Sequence, residues 1–259
     1  MLARQRQALI LDAVRQNGGV RVSELVERLG VSDMTVRRDI ETLAGRGLVI
    51  RVHGGATAVG SSVEEPGFAA KAVLRTGAKR AIAAAAAELV EPGASVALSA
   101  GTTTHAVASA LVTVPGLTVV TNSLRVAEVL HEAGRDAGVV LTGGVRTPSD
   151  ALVGPVAVAA LRGLHVDWLI MGVHGMDPTA GFTTPNIVEA ETNRALMASA
   201  RRVAVVADNS KWGVVGLSTI AALDEADVVV TDEGLAPEAR RVLEDACGRL
   251  VLAPRQEAE

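Results

Sequence analysis

The sequence predicts two folded units, a small N-terminal α-helical unit closed by a β wing and a larger α/β domain built on a mostly parallel sheet. Within the first 56 residues, two short helical stretches, each preceded by a serine, are separated by a glycine. From residue 95 onward, short aliphatic runs alternate with amphipathic stretches. Strands that are apolar on both faces and separated by helices belong to parallel sheets covered on both sides. A chain of 259 residues has room for both units.

The elements of the first unit follow in order. Residues 3–15 carry Ile10, Leu11 and Val14 on one helical stripe, which Asn17-Gly18-Gly19 ends. Val20-Arg21-Val22 reads as a short extended piece. Ser23 is placed to cap a helix over 24–29, Gly30 to end it, and Ser32 to cap the next, with Asp33 at the positive end of its dipole. Two capped helices around a tight glycine turn form a helix-turn-helix. In the second helix Val36, Ile40 and Leu43 share the core face, while Thr35, Arg38 and Thr42 lie together on another, flanked by Arg37. Hydroxyls and guanidiniums near such a helix start reach base edges in the major groove. The run 48–52 reads as a wing strand, which His53-Gly54-Gly55-Ala56 closes. The candidate DNA contacts are Ser32, Thr35, Arg37, Arg38, Thr42, Arg51 and His53.

Charge supports that placement. The chain's net charge is −4, yet residues 1–56 hold nine arginines against six acids, and the rest holds 16 bases against 23 acids. A basic head on an acidic body approaches phosphate while the body stays off it. Several classes are excluded. No apolar run reaches the roughly 18–20 residues a membrane span needs, and no apolar signal core follows the first residues. The single Cys247 rules out an intramolecular disulfide framework and fits a cytoplasmic protein. The four histidines beyond the head, His105, His131, His165 and His174, are scattered without cysteine or acidic partners at ligand spacing, so no metal is expected. Glu189 and Glu191 point to different faces of one helix, which makes them a poor acid–base pair. With two Trp, two Phe and no Tyr, stacking platforms for single-stranded nucleic acid are absent.

Residues 57–67, small, polar and interrupted by Pro66, read as a connector between domains 1–56 and 68–259. One alanine-rich helix is expected over 68–89. Strands are expected at 95–98, 117–121, 138–141, 167–171, 203–207, 228–231 and 250–252. Ligands of open α/β sheets collect at the carboxyl ends of strands. There the chain places Gly101-Thr102-Thr103-Thr104, Thr121-Asn122-Ser123, Thr142-Gly143-Gly144, the run 172–177 and Asp208-Asn209-Ser210-Lys211. A glycine lets the backbone approach an anion, threonines supply hydroxyls, and the helix that begins at this point aims its free amides at it. Neither a dinucleotide fingerprint nor a Walker A loop is present, and no cofactor is expected.

Several of these segments carry a resemblance. Arg4, Ile10, Val22-Ser23-Glu24-Leu25, Val31-Ser32, the run Thr35-Val36-Arg37-Arg38-Asp39-Ile40, Leu43, Gly47-Leu48, Arg51 and His53-Gly54-Gly55-Ala56 together resemble the N-terminal domain of the DeoR family of bacterial regulators. Lys79 with Ile82-Ala83, Gly101 to Thr104, Thr121-Asn122-Ser123, Gly143-Gly144, Gly154, Gly175 with Asp177, Gly181, Asp208 with Ser210-Lys211, and Thr231-Asp232 resemble the sensor domain of the same family, which is similar to ribose-5-phosphate isomerase. The resemblance implies a repressor of sugar-metabolism genes, not an enzyme. Its partners would be double-stranded operator DNA and a phosphorylated sugar. A lone head offers few phosphate contacts, so a homo-oligomer, dimer or tetramer, reading paired half-sites is expected. By position, Gly101, Thr102, Thr103 and Thr104 would hold the phosphate, and Asn122, Asp177, Asp208 and Lys211 would touch the sugar or the phosphate. Gly143 lies at the same strand ends, and Lys71 and Lys79 match basic positions tied to effector response. The family usually has Asp-Ser where this chain has Ser99-Ala100. The alternative is an isomerase-like enzyme with a fused DNA-binding head. It needs a carboxylate base over the sugar, and Ser99 stands where an extra acid would help.

Overall fold

The computed structural model describes residues 3–17, 19–46, 48–52, 54–58, 67–134 and 138–254. The chain divides into two compact units, Met1–Ser61 and Ser62–Glu259. Most of the expected connector, residues 59–66, lies outside the described residues, as do Gly47 and His53.

The first unit runs α1 (Ala3–Asn17), β1 (Gly19–Arg21), α2 (Val22–Leu29), α3 (Asp33–Gly45), β2 (Val49–Val52) and β3 (Gly55–Ala58). Ile10, Val14, Leu25, Val36, Ile40 and Leu43 are buried together, so the apolar stripes of all three helices meet. Gly30 adopts the left-handed backbone (φ 64°) that ends α2. Ser32 caps α3, its Oγ accepting from the Thr35 amide at 3.4 Å. Two local expectations are corrected. Ser23 does not cap α2. The helix starts two residues earlier, at Val22, and the carboxylate of Glu24 reaches back to accept from the Arg21 amide (3.3 Å). Residues 55–58 do not merely close the wing. They form β3, the central strand of an antiparallel three-stranded sheet, and so take Thr57 and Ala58 from the expected connector. A side chain at Gly55 would strike the Val20 carbonyl, 2.1 Å from where its Cβ would stand, which is why a glycine follows the wing turn.

The second unit begins with α4 (Phe68–Ala72), α5 (Thr76–Ala87), β4 (Ser95–Leu98), α6 (Thr102–Leu111), β5 (Thr118–Thr121), α7 (Leu124–Glu132), β6 (Val139–Leu141), β7 (Val145–Arg146) and β8 (Leu152–Val153). It continues with α8 (Pro155–Leu161), β9 (Val166–Gly172), β10 (Gly175–Asp177), β11 (Gly181–Thr184), α9 (Ile187–Ala198), β12 (Ala200–Val206), β13 (Ser218–Ala221), β14 (Val228–Asp232), α10 (Pro237–Ala246) and β15 (Leu250–Ala253). The seven expected strands pair in the order β15-β14-β12-β9-β4-β5-β6, all parallel. Successive residues alternate between two cores. In β9, Trp168 and Ile170 join the core beneath α5, α6 and α7, while Leu169 and Met171 join the core shared with α9 and α10. This is the two-sided burial that continuous apolar strands require.

The single helix expected over 68–89 is broken. Residues 73–75 interrupt it, and Arg75 takes a left-handed backbone (φ 53°) just before α5. That turn carries the Arg75 guanidinium to Asn209 (3.4 Å to Oδ1) and Asp208 (3.5 Å to Oδ1). A second sheet, β10-β11-β13, and the short pair β7-β8 were not anticipated. No helix among the described residues is long and apolar enough to cross a membrane.

Candidate functional site

On the first unit, α3 and the wing present most of the expected DNA contacts, with their charges unequally committed. Arg37 is paired with Asp33 one turn earlier, through Nε at 2.5 Å and a second nitrogen at 3.2 Å, and the pair depresses the Asp33 pKa. Arg51 on β2 pairs with Glu41 on α3 at 2.8 Å, tying the wing to the helix. Thr42 donates to the Arg38 carbonyl (2.9 Å), and the hydroxyls of Ser32 and Thr35 bond each other (2.8 Å). Arg38 is exposed, and its side chain makes no hydrogen bond or ion pair with any described residue. Asp39 has a structural task. It is buried, accepts from Arg6 and from Gln7 (3.0 Å), and so binds α1 to α3.

On the second unit, a cavity of about 110 Å³ opens at the carboxyl ends of β4, β9 and β12, the edge at which open α/β sheets bind ligands. It brings together Gly101, Thr102, Thr103, Asp208 and Lys211 with Lys71 and Lys79, segments up to 140 positions apart in sequence (71 to 211). Gly101 is the N-cap of α6 with φ 150°, and no side chain caps that helix. The first amides of α6 therefore face the cavity with their partial positive charge uncompensated by a side chain. Arg75, Ser149, His174 and Glu189 also line it. Four cations, Lys71, Arg75, Lys79 and Lys211, thus face two carboxylates, Asp208 and Glu189.

Burial shapes these charges. Lys79 is buried and its pKa falls from 10.5 to about 8. Desolvation is the main cause, Asp208 opposes it, and the neighbouring Lys211, Lys71 and Arg75 add to it. Burial also lowers the pKa of Lys211. His174 is pushed down to about 4 by burial and by the charges of Lys211 and Lys71, so it is neutral at physiological pH. The Lys79 ammonium donates to the Lys71 carbonyl at 2.5 Å. Asp208 is buried and caps a short 3₁₀ turn over 209–211, accepting from the amide of Ser210 (3.1 Å) and from its hydroxyl. It thereby fixes the backbone that carries Lys211.

Four expected effector contacts do not line the cavity. Thr104 is fully buried and turns its hydroxyl back to the Gly101 carbonyl (3.0 Å). Asn122 is fully buried and acts as a strut, accepting from the Ala100 amide (3.0 Å) and donating to the Leu152 carbonyl (3.1 Å). Gly143 lies against Val156 on α8, and Asp177 caps a turn through the amides of Thr179 (2.8 Å) and Ala180 (2.9 Å). Ser99, where the family usually has an acid, is buried and accepts from the Gly172 amide (3.0 Å), joining β4 to β9. Of the additional lining residues, Arg75 carried no sequence signal because it sits in the unforeseen break. Ser149 and Glu189 lie off the polar strand ends, on a loop and on α9. Among the described residues, no three His, Cys, Asp or Glu side chains gather as a metal-ligand set.

Comparison with known proteins agrees with this division. Residues 6–62 match the family model described as the DeoR-like helix-turn-helix domain, and residues 75–233 match the DeoR C terminal sensor domain. The chain is 38% identical over 247 residues to the HTH-type transcriptional regulator GlpR of Haloferax volcanii, covering 95% of this chain and 96% of that protein. It is 34% identical over 251 residues to the putative aga operon transcriptional repressor of Escherichia coli O157:H7 (96% and 93% covered). It is also 34% identical over 242 residues to the glycerol-3-phosphate regulon repressor of Escherichia coli K12 (93% and 95% covered). Among solved structures, ribose 5 phosphate isomerase A from Neisseria gonorrhoeae aligns over 54% of each chain at 18% identity, with a TM-score of 0.40. Matched in both of its units, and related over nearly its whole length to named regulators, the chain belongs to the DeoR family of DNA-binding transcriptional regulators.

Proposed function

We propose that this regulator is a repressor that reads a double-stranded operator with α3 and the wing, works as a homo-oligomer on paired half-sites, and has its operator affinity set by a phosphorylated sugar held in the body. The observation that carries the effector half is the meeting of Lys71, Arg75, Lys79 and Lys211 at the uncapped start of α6. With all four protonated, they exceed the two facing carboxylates by two charges, which a phosphate dianion neutralises. Thr102 and Thr103 add hydroxyls, and amides at a helix N-terminus are a natural phosphate cradle. Asp208 is engaged by Ser210 and lies beside Arg75, an arrangement for holding a ligand rather than for abstracting a proton from one. The names of the relatives, which include a glycerol-3-phosphate regulon repressor, agree with a phosphorylated metabolite. Whatever the direction of control, the ligand shifts operator affinity only by the difference in its own affinity for the DNA-bound and DNA-free states.

The test is a panel of triose, pentose and hexose phosphates, with inorganic phosphate and sulfate as anion controls, screened by thermal shift. Active ligands are then titrated against an operator selected from a random duplex library. A ligand at about 100 times its Kd adds about 2.7 kcal/mol to the state it binds, or roughly 5–11 °C for a domain of this size. A panel in which no phosphomonoester raises the melting temperature or changes operator affinity overturns the proposal. Interconversion of a panel member would instead favour the enzyme reading.

A further inference from the structure

We propose that α4 is a latch: Lys79 holds its C-terminal end, a clamp of Asp150, Arg125 and Phe68 holds its N-terminal end, and an anion that engages Lys79 loosens it. The inference rests on reading the cavity as an anion site. Helix α4 has five residues and none of them is buried. A helix so short is not stable by itself, and with no buried side chain it is not kept in place by a core. Among the contacts that hold it are polar and aromatic ones that reach the walls of the cavity or residues next to them.

At its C-terminal end, the Lys71 carbonyl accepts from the Lys79 ammonium (2.5 Å), and both lysines line the cavity. At its N-terminal end, the Phe68 amide donates to the Pro148 carbonyl (3.3 Å), next to Ser149 of the cavity wall. The Phe68 ring stands edge-on to His105 (5.4 Å between centroids), which lies on α6, the helix whose first turn forms another wall. The Arg125 guanidinium covers the same ring at 5.5 Å. Arg125 is aimed by Asp150, whose buried carboxylate accepts from Arg125 Nε (2.6 Å) and, on its other side, from Arg146 Nε (2.7 Å). Asp150 itself has φ 62°, a backbone conformation that residues other than glycine enter rarely and hold only when their surroundings impose it.

An ammonium offers three protons, and a phosphate oxygen is a stronger acceptor than a peptide carbonyl. An anion in the cavity therefore competes with Lys71 for Lys79 and weakens the bond that fixes α4. In sequence α4 is the first described helix after the connector.

Hydrogen exchange of the full chain, read at the amides of residues 68–74 with and without saturating inorganic phosphate, tests this. Thermal shift on the same samples reports whether phosphate binds. Phosphate is expected to raise the melting temperature while speeding exchange at 68–74 roughly fivefold or more, as release of a local contact does. In Arg125→Gln, and in Phe68→Leu as a milder change that keeps apolar bulk, exchange at 68–74 is expected to be fast before phosphate is added and to respond little to it. Phosphate affinity should rise in both by up to the same factor, since neither residue lines the cavity and a latch already loosened no longer competes for Lys79. A raised melting temperature with exchange at 68–74 unchanged or slowed overturns the latch and leaves the anion site standing. If phosphate fails to bind the wild-type chain, the anion site falls, and the latch with it.

Discussion

Replacing Lys79 with methionine should make the free protein more stable. Lys79 is 7% exposed, and its pKa falls from 10.5 to about 8, chiefly through burial. At about 1.4 kcal/mol per pKa unit, that depression makes the native state carry the ammonium at a cost of roughly 3 kcal/mol near pH 7. Methionine removes the charge at similar volume and gives up the hydrogen bond to the Lys71 carbonyl, a loss of about 1 kcal/mol. The net gain is roughly 1–2 kcal/mol, which for a domain of this size corresponds to roughly 2–8 °C. The sign of the pH dependence follows from linkage. Below pH 8 both folded and unfolded chains bind the proton, and the full cost is present. Between pH 8 and 10.5 the native lysine loses its proton first, the unfolded state binds more protons, and wild-type stability from this residue rises with pH. The advantage of Lys79→Met should therefore be largest at pH 7 and shrink toward pH 10. Calorimetric melts of both proteins at the two pH values, at constant ionic strength, measure it. The same variant should bind inorganic phosphate about 10- to 150-fold more weakly, the worth of one charge-assisted hydrogen bond. If the variant melts below wild type at pH 7, or differs from it equally at both pH values, Lys79 is not a disfavoured charge and the reasoning about the cavity fails.

Further outcomes are expected from the remaining contacts. Arg38→Ala should weaken binding to the selected operator by about 1–3 kcal/mol, as loss of a base contact does; an equal loss on random duplex, measured by fluorescence anisotropy, would make Arg38 a phosphate anchor only. Thr103→Val should reduce phosphate affinity about 2- to 12-fold, the net worth of a neutral hydrogen bond, with the melting temperature of the free chain little changed. Asn122→Ala strands the part-buried Ala100 amide and the buried Leu152 carbonyl and should destabilise the body by about 1–3 kcal/mol; a melting temperature equal to wild type would show that water or a neighbour replaces the strut. Asp39→Asn, which leaves Arg6 without its carboxylate, should lower the urea midpoint of the DNA-binding unit and leave that of the body unmoved.

How much of this could be read beforehand depended on whether the information was local. The seven parallel strands were legible because burial on both faces forces runs such as Val228-Val229-Val230, and few other folds need them. The helix-turn-helix was legible because Gly30 and Ser32 act within one turn of their own positions. The second sheet was not, since Gly175–Asp177, Gly181–Thr184 and Ser218–Ala221 are short and mix glycine, threonine and aspartate, leaving no alternation to follow. Arg75 escaped notice because the apolar period of α5 invites extension backward through it. Its partners, Asp208 and Asn209, lie more than 130 residues away in sequence. Asn122 shows the opposite difficulty. A polar side chain at a strand end can face a ligand or satisfy backbone, and residue type alone does not separate the two. The same ambiguity touches Ser99, whose hydroxyl holds Gly172 of the next strand. An acid at this position, as the family usually has, would meet that amide as an acceptor and add a carboxylate behind the cavity. With serine there, the four cations keep an excess that one fewer carboxylate opposes. This chain should therefore favour more highly charged phosphate ligands than relatives that carry the acid, and Ser99→Asp should weaken phosphate binding most at low ionic strength, where screening is least.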